Sequence, residues 1–474
     1  MASTSLLSIY IFTLTILHLL LHLHLHLHTS SATSITIPLS RSSTTSSSET
    51  LSTTEFSNPW RTVSNLASAS IARAHHLKRL NSTTHLIKIK SFPRSYGGYS
   101  IPLTFGTPPQ QLDFVMDTGS SLVWFPCTHR YVCSNCTFPN IDPNNIHTFI
   151  PRLSSSVKIL GCRNPKCGLL YYTDVNTRCA DCDPNSTTCS QVCPAYVIQY
   201  GSGATSGLLL LENLDFPGRI VPGFLIGCSI YSTRQPEGIA GFGRGPTSLP
   251  SQMGLKIFSY CLLSHKFDDT PKSSDLVLDS GDGNDAGVSY TPFRKNPVGS
   301  NAAFLDYYYV TLRRIVVGQK RLKIPYNFLV PRSDGNGGTI VDSGSTFTFM
   351  DKRVFEVVAR EFELQMGNVT RAVDVEKETN LRPCFDVSKM KTVSFPELYF
   401  VFKGGAKMEL PLANYFSILD RPGVVCMTIV TSDFIEPGIS VGPAIILGNY
   451  QQQNYNVEYN LEKERFGFKK QTCT

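Results

Sequence analysis

The sequence contains one long hydrophobic run and no second one. The run, Leu6–Leu21, is interrupted only by Ser, Thr, Tyr and His, no Lys or Arg precedes it, and small residues follow at 30–32. This pattern predicts a signal peptide over residues 1–29. Because the run is shorter than the ~20 residues that a spanning helix prefers, and the chain ends in the polar Gln471–Thr474, we expect no stable membrane anchor.

The chain beyond its first hundred residues also lacks an excess of either charge. Eight of the 43 Lys and Arg, but two of the 36 Asp and Glu, lie within residues 1–98, which leaves 35 basic and 34 acidic residues for 99–474. A nucleic-acid-binding protein would concentrate cations on its folded domain. We therefore expect no nucleic-acid partner, and we assign the basic character to the front segment.

That front segment, residues 30–95, is interpreted as a prosegment. Residues 29–54 are rich in Ser and Thr without an apolar period, which predicts a disordered stretch. The next part, Ala67–Leu80, has helical spacing and carries the cations Arg73, Lys78 and Arg79. Such a helix could lie over an acidic cleft by charge attraction. The alternative interpretation is an exposed linker.

Fourteen cysteines, an even number, indicate the compartment. Together with the signal peptide they predict disulfide bonds and a secreted, extracellular protein. Four sequons for N-glycosylation agree with secretion. The candidate acceptors are Asn81, Asn135, Asn185 and Asn368.

Nine of the cysteines fall within residues 127–193, which predicts a disulfide-stapled insertion. Because nine is odd, at least one of them pairs outside the insertion. The outside candidates for that pairing are Cys228, Cys261 and Cys473. Cys384 and Cys426, both in the second half of the chain, are expected to pair with each other.

The spacings Cys133-x-x-Cys136 and Cys179-x-x-Cys182 also permit a zinc interpretation. Irregular spacing in a chain with a signal peptide favours disulfides instead. We therefore expect no metal.

The folded part is predicted to be all-β and bilobal. Short alternating apolar runs, 34 Gly and 29 Pro favour strands and turns. We expect an N-terminal lobe over 96–300, with a flap hairpin at 196–208, and a C-terminal lobe over 301–474. The clearest helical period lies at Lys352–Gln365.

Two copies of one motif dominate the chain. Each follows an apolar strand and consists of an aspartate, a hydroxyl residue, a glycine and a serine: Asp117, Thr118, Gly119 and Ser120, then, 225 residues later, Asp342, Ser343, Gly344 and Ser345. Each lobe also has an apolar-apolar-Gly segment able to pass behind the motif, Ile239–Gly241 and Ile446–Gly448. A single Asp-Thr-Gly is a common turn, but two copies with two companions are hard to obtain by accident.

The chemistry follows if the two carboxylates meet. Two carboxylates within hydrogen-bonding distance share one proton. The aspartic proteases are the standard example of such a pair. The ionised member accepts a proton from water while the protonated member donates to the attacked carbonyl oxygen. Neither a metal nor a cofactor is required. We expect the hydroxyls at 118, 120, 343 and 345 to fix the carboxylate planes.

These features resemble the pepsin-like aspartic proteases, and among them the plant nepenthesin-like group, over about residues 96–474. The cysteine-rich insertion before the flap is also typical of that group. The motifs that carry the resemblance are Gly106–Gln110, Asp117–Trp124, Tyr200–Gly203, Gly241–Gly245, Phe258–Leu262, Asp342–Ser345 and Gly448–Asn454.

The resemblance implies roles for individual residues. Asp117 and Asp342 would be the catalytic dyad, Tyr200 and Gly201 the flap over the substrate, and Trp124 a hydrogen-bonding support for Tyr200. The implied protein is a monomeric endopeptidase that cleaves proteins or peptides at acidic pH without a cofactor. Because the similar group is a plant group, the implied location is the apoplast or cell wall, with the vacuole as the alternative. The family often has Thr where this chain has Ser345, which keeps the hydroxyl.

A competing interpretation is a pepsin-fold protein that binds without cutting, like the plant inhibitors of microbial glycosidases. In those proteins one Asp motif is typically degraded. Here both motifs and the flap tyrosine are intact, which favours the enzyme.

Overall fold

The structure is a computed structural model of the chain. It describes residues 35–41 as backbone, most positions of 63–74, and residues 97–136, 142, 145–171, 175–179, 182, 191–201, 203–264, 273–279, 286–297, 302–418, 423–432 and 442–474. The predicted signal peptide, residues 75–80 of the predicted basic helix, and the sequons at Asn81 and Asn185 lie outside these residues. Among the described residues, no helix has the length and apolar character needed to cross a membrane.

The described chain is built mainly of strands, as the sequence predicts. The strands are β1 (Ile35–Arg41), β2 (Tyr99–Phe105), β3 (Gln110–Asp117), β4 (Trp124–Pro126), β5 (Val132–Ser134), β6 (Lys158–Ile159), β7 (Tyr196–Gln199), β8 (Ala204–Phe216), β9 (Arg219–Thr233), β10 (Gly238–Gly241), β11 (Ile257–Cys261), β12 (Ser273–Asp279), β13 (Ser289–Pro292), β14 (Tyr308–Val310), β15 (Leu312–Val317), β16 (Lys320–Arg321), β17 (Thr339–Val341), β18 (Thr348–Met350), β19 (Thr370–Arg371), β20 (Cys384–Asp386), β21 (Leu398–Phe402), β22 (Lys407–Glu409), β23 (Phe416–Ile418), β24 (Val424–Met427), β25 (Ile429–Val430), β26 (Ile445–Leu447), β27 (Tyr455–Asn460) and β28 (Arg465–Lys470).

Helices are short and few by comparison. Positions described within 63–74 are helical. The α-helices that follow are α1 (Gly168–Tyr171), α2 (Val175–Arg178), α3 (Leu249–Met253), α4 (Tyr326–Leu329), α5 (Lys352–Gln365) and α6 (Val373–Thr379). Single 3-10 turns occur at Pro151–Leu153, Pro165–Cys167, Ala302–Leu305, Leu412–Asn414 and Asn449–Gln452.

The helix predicted at Lys352–Gln365 has those bounds in the structure. Its N-cap is Asp351, whose carboxylate accepts from the Arg353 N–H and so satisfies an unpaired donor of the first turn. The buried face includes Val354, Val358 and Phe362, which recur at the three- and four-residue spacing of an amphipathic helix.

One fifteen-stranded sheet runs through the N-terminal lobe, in the order β13-β28-β27-β11-β12-β1-β2-β3-β10-β4-β9-β8-β6, with β5 on β9 and β7 on β8. The last two strands of the chain, β27 and β28, therefore pair with strands of the first lobe. The rest of the C-terminal lobe forms one five-stranded and two four-stranded sheets. The fold is all-β and bilobal, and the C-terminus connects the lobes through a shared sheet.

The prediction of disorder over 29–54 is wrong for residues 35–41. These residues form β1, which pairs antiparallel with β12 along 35–40 and with β2 at Ser40 and Arg41. Ile35, Ile37 and Leu39 alternate with Thr, Pro and Ser in the sequence. This alternation is a strand signal, which the Ser/Thr-rich composition around it conceals.

The disulfides answer the question of pairing that the sequence left open. Cys127 of the insertion pairs outside it, with Cys228, and Cys384 pairs with Cys426 as expected. The other two outside candidates, Cys261 and Cys473, pair with each other. Within the insertion the pairs are Cys133–Cys136, Cys162–Cys179 and Cys167–Cys193, and Cys182 is also disulfide-bonded.

Three sulfurs of the insertion lie close enough together to suggest a metal site. The Sγ atoms of Cys162, Cys167 and Cys179 are within 4.8 Å of one another. All three belong to disulfides, and a disulfide sulfur lacks the thiolate charge with which cysteine binds zinc.

Candidate active site

Asp117 and Asp342 each stand at the end of a buried strand that is paired in parallel with another strand. Asp117 is the last residue of β3 and lies opposite Gly241 of β10, and its carbonyl accepts from the Phe242 N–H at 2.7 Å. Asp342 follows β17, and its N–H donates to the Leu447 carbonyl of β26 at 3.0 Å. The apolar-apolar-Gly segments therefore pass beside the two motifs, as the sequence predicts.

The two motifs are joined to each other by hydrogen bonds between lobes. The Thr118 N–H donates to Ser343 Oγ at 3.1 Å, and the Ser343 N–H donates to Thr118 Oγ1 at 2.9 Å. Ser343 Oγ donates onward to the Met116 carbonyl at 2.8 Å. The expectation that hydroxyls 118 and 343 orient the carboxylates is therefore wrong. They connect the two backbones that carry the carboxylates.

The carboxylates are oriented by the other two hydroxyls and by backbone N–H groups. Asp117 accepts from the Gly119 N–H at 2.9 Å and from Ser120 Oγ at 2.5 Å. Asp342 accepts from the Gly344 N–H at 2.9 Å and from Ser345 Oγ at 2.6 Å. Each aspartate thus has the same two kinds of donor, a glycine N–H and a serine hydroxyl, and both come from its own lobe.

Glycine is required at both turns because the opposite carboxylate comes so close. A Cβ at Gly119 would lie 2.6 Å from Asp342 Oδ1, and a Cβ at Gly344 would lie 2.3 Å from Asp117 Oδ1. Neither distance leaves room for a side chain. The glycines let the two carboxylates face each other.

Tyr200 lies above this pair on the hairpin of β7 and β8. Its N–H donates to the Gly203 carbonyl at 2.7 Å, which closes the hairpin tip around Gly201. The Trp124 Nε1–H donates to Tyr200 Oη at 2.9 Å, the contact that the family resemblance implies. Burial raises the pKa of the Tyr200 phenol, and the nearby Asp117 charge raises it further, so the phenol stays neutral.

Arg73 lies between the two aspartates. Its Nη2 donates to Asp117 Oδ1 at 2.7 Å and its Nε donates to Asp342 Oδ2 at 3.3 Å. The guanidinium carbon is also 5.9 Å from the centre of the Tyr200 ring. The sequence identified Arg73 as one of three cations on a helix, and in the structure Arg73 reaches both carboxylates. The other two, Lys78 and Arg79, lie outside the described residues.

The helical segment at 63–74 is held by apolar packing on the C-terminal lobe. Val63, Leu66 and Ala67 are buried in one cluster with Phe304 and Tyr307. In addition, Ser70 Oγ accepts from the Phe347 N–H at 2.7 Å. These contacts place the segment directly over the carboxylate pair.

The electrostatics of the site are those of buried charges that neutralise one another. Burial raises the pKa of Asp117, the Arg73 guanidinium opposes that shift, and the Asp342 charge adds to it. Burial alone would lower the pKa of Arg73, but attraction to Asp117 and Asp342 raises it above its ordinary value. Without the guanidinium, the two carboxylates would repel each other with no cation to balance their charges.

One acidic residue of the site has no counterpart in the motifs. Asp306 is half-buried at the entry to β14, and its carbonyl accepts from the Arg244 N–H at 2.8 Å. A Cβ at Gly245 would lie 2.2 Å from Asp306 Oδ1 and 2.5 Å from Ser121 Oγ, so all three groups adjoin. The pKa of Asp306 is raised to about 6 as the net result of three causes. Burial raises it most, the hydrogen bond with Ser121 lowers it, and the Asp117 charge raises it. The sequence signal that could have identified Asp306 is a single acidic residue directly before three consecutive tyrosines, Tyr307–Tyr309.

Two models from one protein family match the two lobes of this chain. The model of the N-terminal domain of the xylanase inhibitors matches residues 99–278, and the model of their C-terminal domain matches residues 307–470. Aspartic proteinase nepenthesin-2 of Nepenthes gracilis is 33% identical over 390 residues, which cover 80% of this chain and 78% of that one. A probable aspartyl protease of Arabidopsis thaliana is 31% identical over 430 residues, covering 81% and 84%.

Solved structures agree on the fold. The crystal structure of edgp aligns with a TM-score of 0.60 at 21% identity, over 80% of this chain and 93% of that one. Basic 7S globulin from soybean aligns with a TM-score of 0.57 at 19% identity, over 79% and 93%.

A bilobal β fold with one Asp-hydroxyl-Gly motif from each lobe defines the pepsin-like class. With relatives above 30% identity over most of both chains, the chain belongs to the pepsin-like aspartyl protease family, in the plant group that includes the nepenthesins.

Asp306→Asn tests whether this half-buried acid keeps its proton to unusually high pH. A pKa raised to about 6 in the fold, against about 3.9 in the unfolded chain, means that the folded state binds more protons between these values. The free energy of unfolding should therefore fall as pH rises through this window, by up to about 1.4 kcal/mol per pH unit. The Asp306→Asn variant should lack this pH-dependent component of the free energy of unfolding.

The measurement is the thermal midpoint of both proteins at a series of pH values. The control is Asp334→Asn, which removes an exposed acid. Desolvation raises the pKa of Asp334, but the hydrogen bonds from Asn336 and the ion pair with Arg332 together outweigh it, so the pKa is lowered. Asp334 changes its contribution to stability at pH values below this window. The slope of the thermal midpoint against pH within the window should therefore be the same for Asp334→Asn and the wild type. Equal slopes for Asp306→Asn and the wild type would contradict the raised pKa.

Proposed function

We propose that this protein is an aspartic endopeptidase that hydrolyses peptide bonds of proteins or peptides at acidic pH, with Asp117 and Asp342 as its catalytic residues. The observation that carries the proposal is the facing carboxylate pair, in which each aspartate receives one backbone N–H and one serine hydroxyl. The plant relatives named as aspartic proteinases support the reaction class.

The mechanism needs one proton shared by the pair. Two carboxylates this close cannot both ionise cheaply, so an acidic medium leaves one of them protonated. The ionised carboxylate takes a proton from a water molecule, whose oxygen attacks the peptide carbonyl carbon. The protonated carboxyl donates to the carbonyl oxygen, which gives a tetrahedral intermediate. Proton transfer to the leaving nitrogen then breaks the C–N bond.

The full chain is proposed to be an inactive precursor in which residues 30–95 are the prosegment. Arg73 occupies the position between the carboxylates where the attacking water must stand. Protonation of Asp117 at low pH removes one of the charges that hold the guanidinium. The raised pKa of Asp117 moves this loss to a pH above the ordinary range of aspartate.

Removal of the prosegment also affects the large sheet. Strand β1 lies between β12 and β2. Its loss leaves two strand edges with unpaired backbone groups. Trimming therefore opens the site and changes sheet pairing at the same time.

A second candidate function is that of an inhibitor that binds a glycosidase. The matching family models bear the name of the xylanase inhibitors, which favours this candidate. The intact dyad opposes it, because a protein selected only for binding has no need for two carboxylates with matched donors.

The proposed location is extracellular. Of the four candidate glycosylation sites, the two described ones, Asn135 and Asn368, have exposed side chains. Asn135 stands in the turn between the disulfide partners Cys133 and Cys136. We propose a monomer without a cofactor or a nucleic-acid partner.

Acidification of the full chain should start self-processing and cleavage of a denatured protein, and pepstatin should block both. Asp117→Asn and Asp342→Asn should each lower cleavage by about a thousandfold, since an amide cannot share the proton. Asp334→Asn, which removes an exposed carboxylate elsewhere, should cleave as the wild type does. If the wild-type protein, correctly disulfide-bonded and trimmed, cleaves no substrate at acidic pH, the protease proposal fails and the inhibitor function is favoured instead.

Arg73→Gln should make the full chain active before it is trimmed. The neutral amide cannot balance the two carboxylates, so the segment should leave the site at a higher pH than in the wild type. Initial rates on a fluorogenic peptide, measured before any self-cleavage, report the change. Arg73→Lys keeps the charge and should remain closer to the wild type. If Arg73→Gln stays as inactive as the wild type at every pH, the guanidinium does not control the site.

A further inference from the structure

The C-terminal lobe carries an unbalanced group of cations away from the aspartate pair. Residues 307–333 contain Arg313, Arg314, Lys320, Arg321, Lys323 and Arg332 and no Asp or Glu. Over residues 99–474 as a whole, basic and acidic residues are nearly equal in number. The excess is therefore local.

A β-bulge directs two of these cations to the surface. Strand β15 pairs with β21, and its register shifts between Leu312 and Arg314. In a regular strand, neighbours point to opposite faces, but Arg313 and Arg314 are both exposed. Bulges are a recognised means of redirecting a side chain, and this one places two adjacent guanidinium groups outside the core.

The partner strand of the hairpin, β16, and the residues that follow it add two more cations around a cavity. Arg321 and Lys323 are exposed on either side of the buried Leu322. Together with Arg313 and Arg314 they line a cavity of about 560 Å³. The half-buried Ile324 and the exposed Pro325 also line it, together with the buried Ile315 and Leu322. The cavity thus has a charged rim and an apolar floor, and its volume is that of a ligand site.

The four cations have no acidic partner among the described residues. The other two cations of the group are paired: Lys320 reaches Glu361 at 2.7 Å, and Arg332 reaches Asp334 at 3.0 Å. Clustered like charges repel one another and raise the local potential for anions. A fold that needs only solubility has no reason to collect four such groups around one concavity.

We propose that this cavity binds an acidic oligosaccharide, a short chain of uronate sugars. The guanidinium fork matches a carboxylate in two parallel hydrogen bonds, and several carboxylates along one chain would engage several of the four cations. The sugar faces would lie on the apolar floor and beside Tyr326. That ring is 59% exposed and directly follows Pro325, which lines the cavity.

The size and surroundings of the cavity oppose other anions. A single inorganic anion would fill a small part of 560 Å³ and meet few of the cations. A nucleic acid would require a basic surface that continues beyond one cavity, and the near balance of charges over 99–474 opposes this. The proposal is independent of the protease function, since the hairpin β15–β16 belongs to a different sheet from β3 and β17.

The test is calorimetric titration of the full chain with a short oligogalacturonate near neutral pH and low salt. Its methyl ester keeps the sugar rings without the charges, and oligoglutamate keeps carboxylates without the rings. We expect binding of the free-acid sugar, at least tenfold weaker binding of both analogues, and a loss of affinity as salt rises. Equal binding of the methyl ester or of oligoglutamate would overturn the assignment.

Two variants locate the site. Arg314→Ala/Arg321→Ala should weaken binding by about a hundredfold, roughly tenfold for each charge-assisted contact, with an unchanged melting temperature because both side chains are exposed. Lys389→Gln/Lys391→Gln removes the same charge from another exposed segment and should bind as the wild type does. Tyr326→Ala should weaken binding several-fold. The proposal fails if both double variants lose affinity equally, or if a single-stranded oligonucleotide or anionic vesicles bind more tightly than the sugar.

Discussion

Two carboxylates buried face to face are the constraint on which the rest of this structure depends. Each is removed from water and each repels the other, so neither could stay ionised there without compensation. The fold provides an N–H and a serine hydroxyl to each carboxylate. In the full chain, Arg73 adds a cation bonded to both. The same repulsion makes the pair useful, since a shared proton supplies an acid and a base in one place.

The constraint also explains why the molecule has two lobes that cannot act separately. Thr118 and Ser343 exchange hydrogen bonds between the lobes, so the position of each aspartate depends on the backbone of the other motif. Gly119 and Gly344 leave room for this approach. The C-terminal strands β27 and β28 pair within the sheet of the first lobe and tie the halves together. Tyr459 of β27 also donates its hydroxyl hydrogen to Thr118 Oγ1 at 3.5 Å, beside the first motif.

The sequence predicted the parts of this arrangement that have a local or repeated signal. The duplicated motif, the amphipathic helix Lys352–Gln365 and the pairing of Cys384 with Cys426 could be identified from residues alone. Strand β1 was missed because a composition rich in Ser and Thr concealed a short alternation. The placement of Arg73 between the two aspartates and of Asp306 beside Ser121 depends on contacts between distant segments, which no local pattern specifies.

The central claim is that Asp117 and Asp342 work as one acid–base pair once Arg73 has left. The most direct measurement is the pH dependence of kcat/KM for a peptide substrate, using chain that has already processed itself. A shared-proton pair predicts a bell-shaped profile at acidic pH, limited by two apparent pKa values that belong to the pair. A profile that rises through a single ionisation to a plateau at neutral pH would contradict the claim.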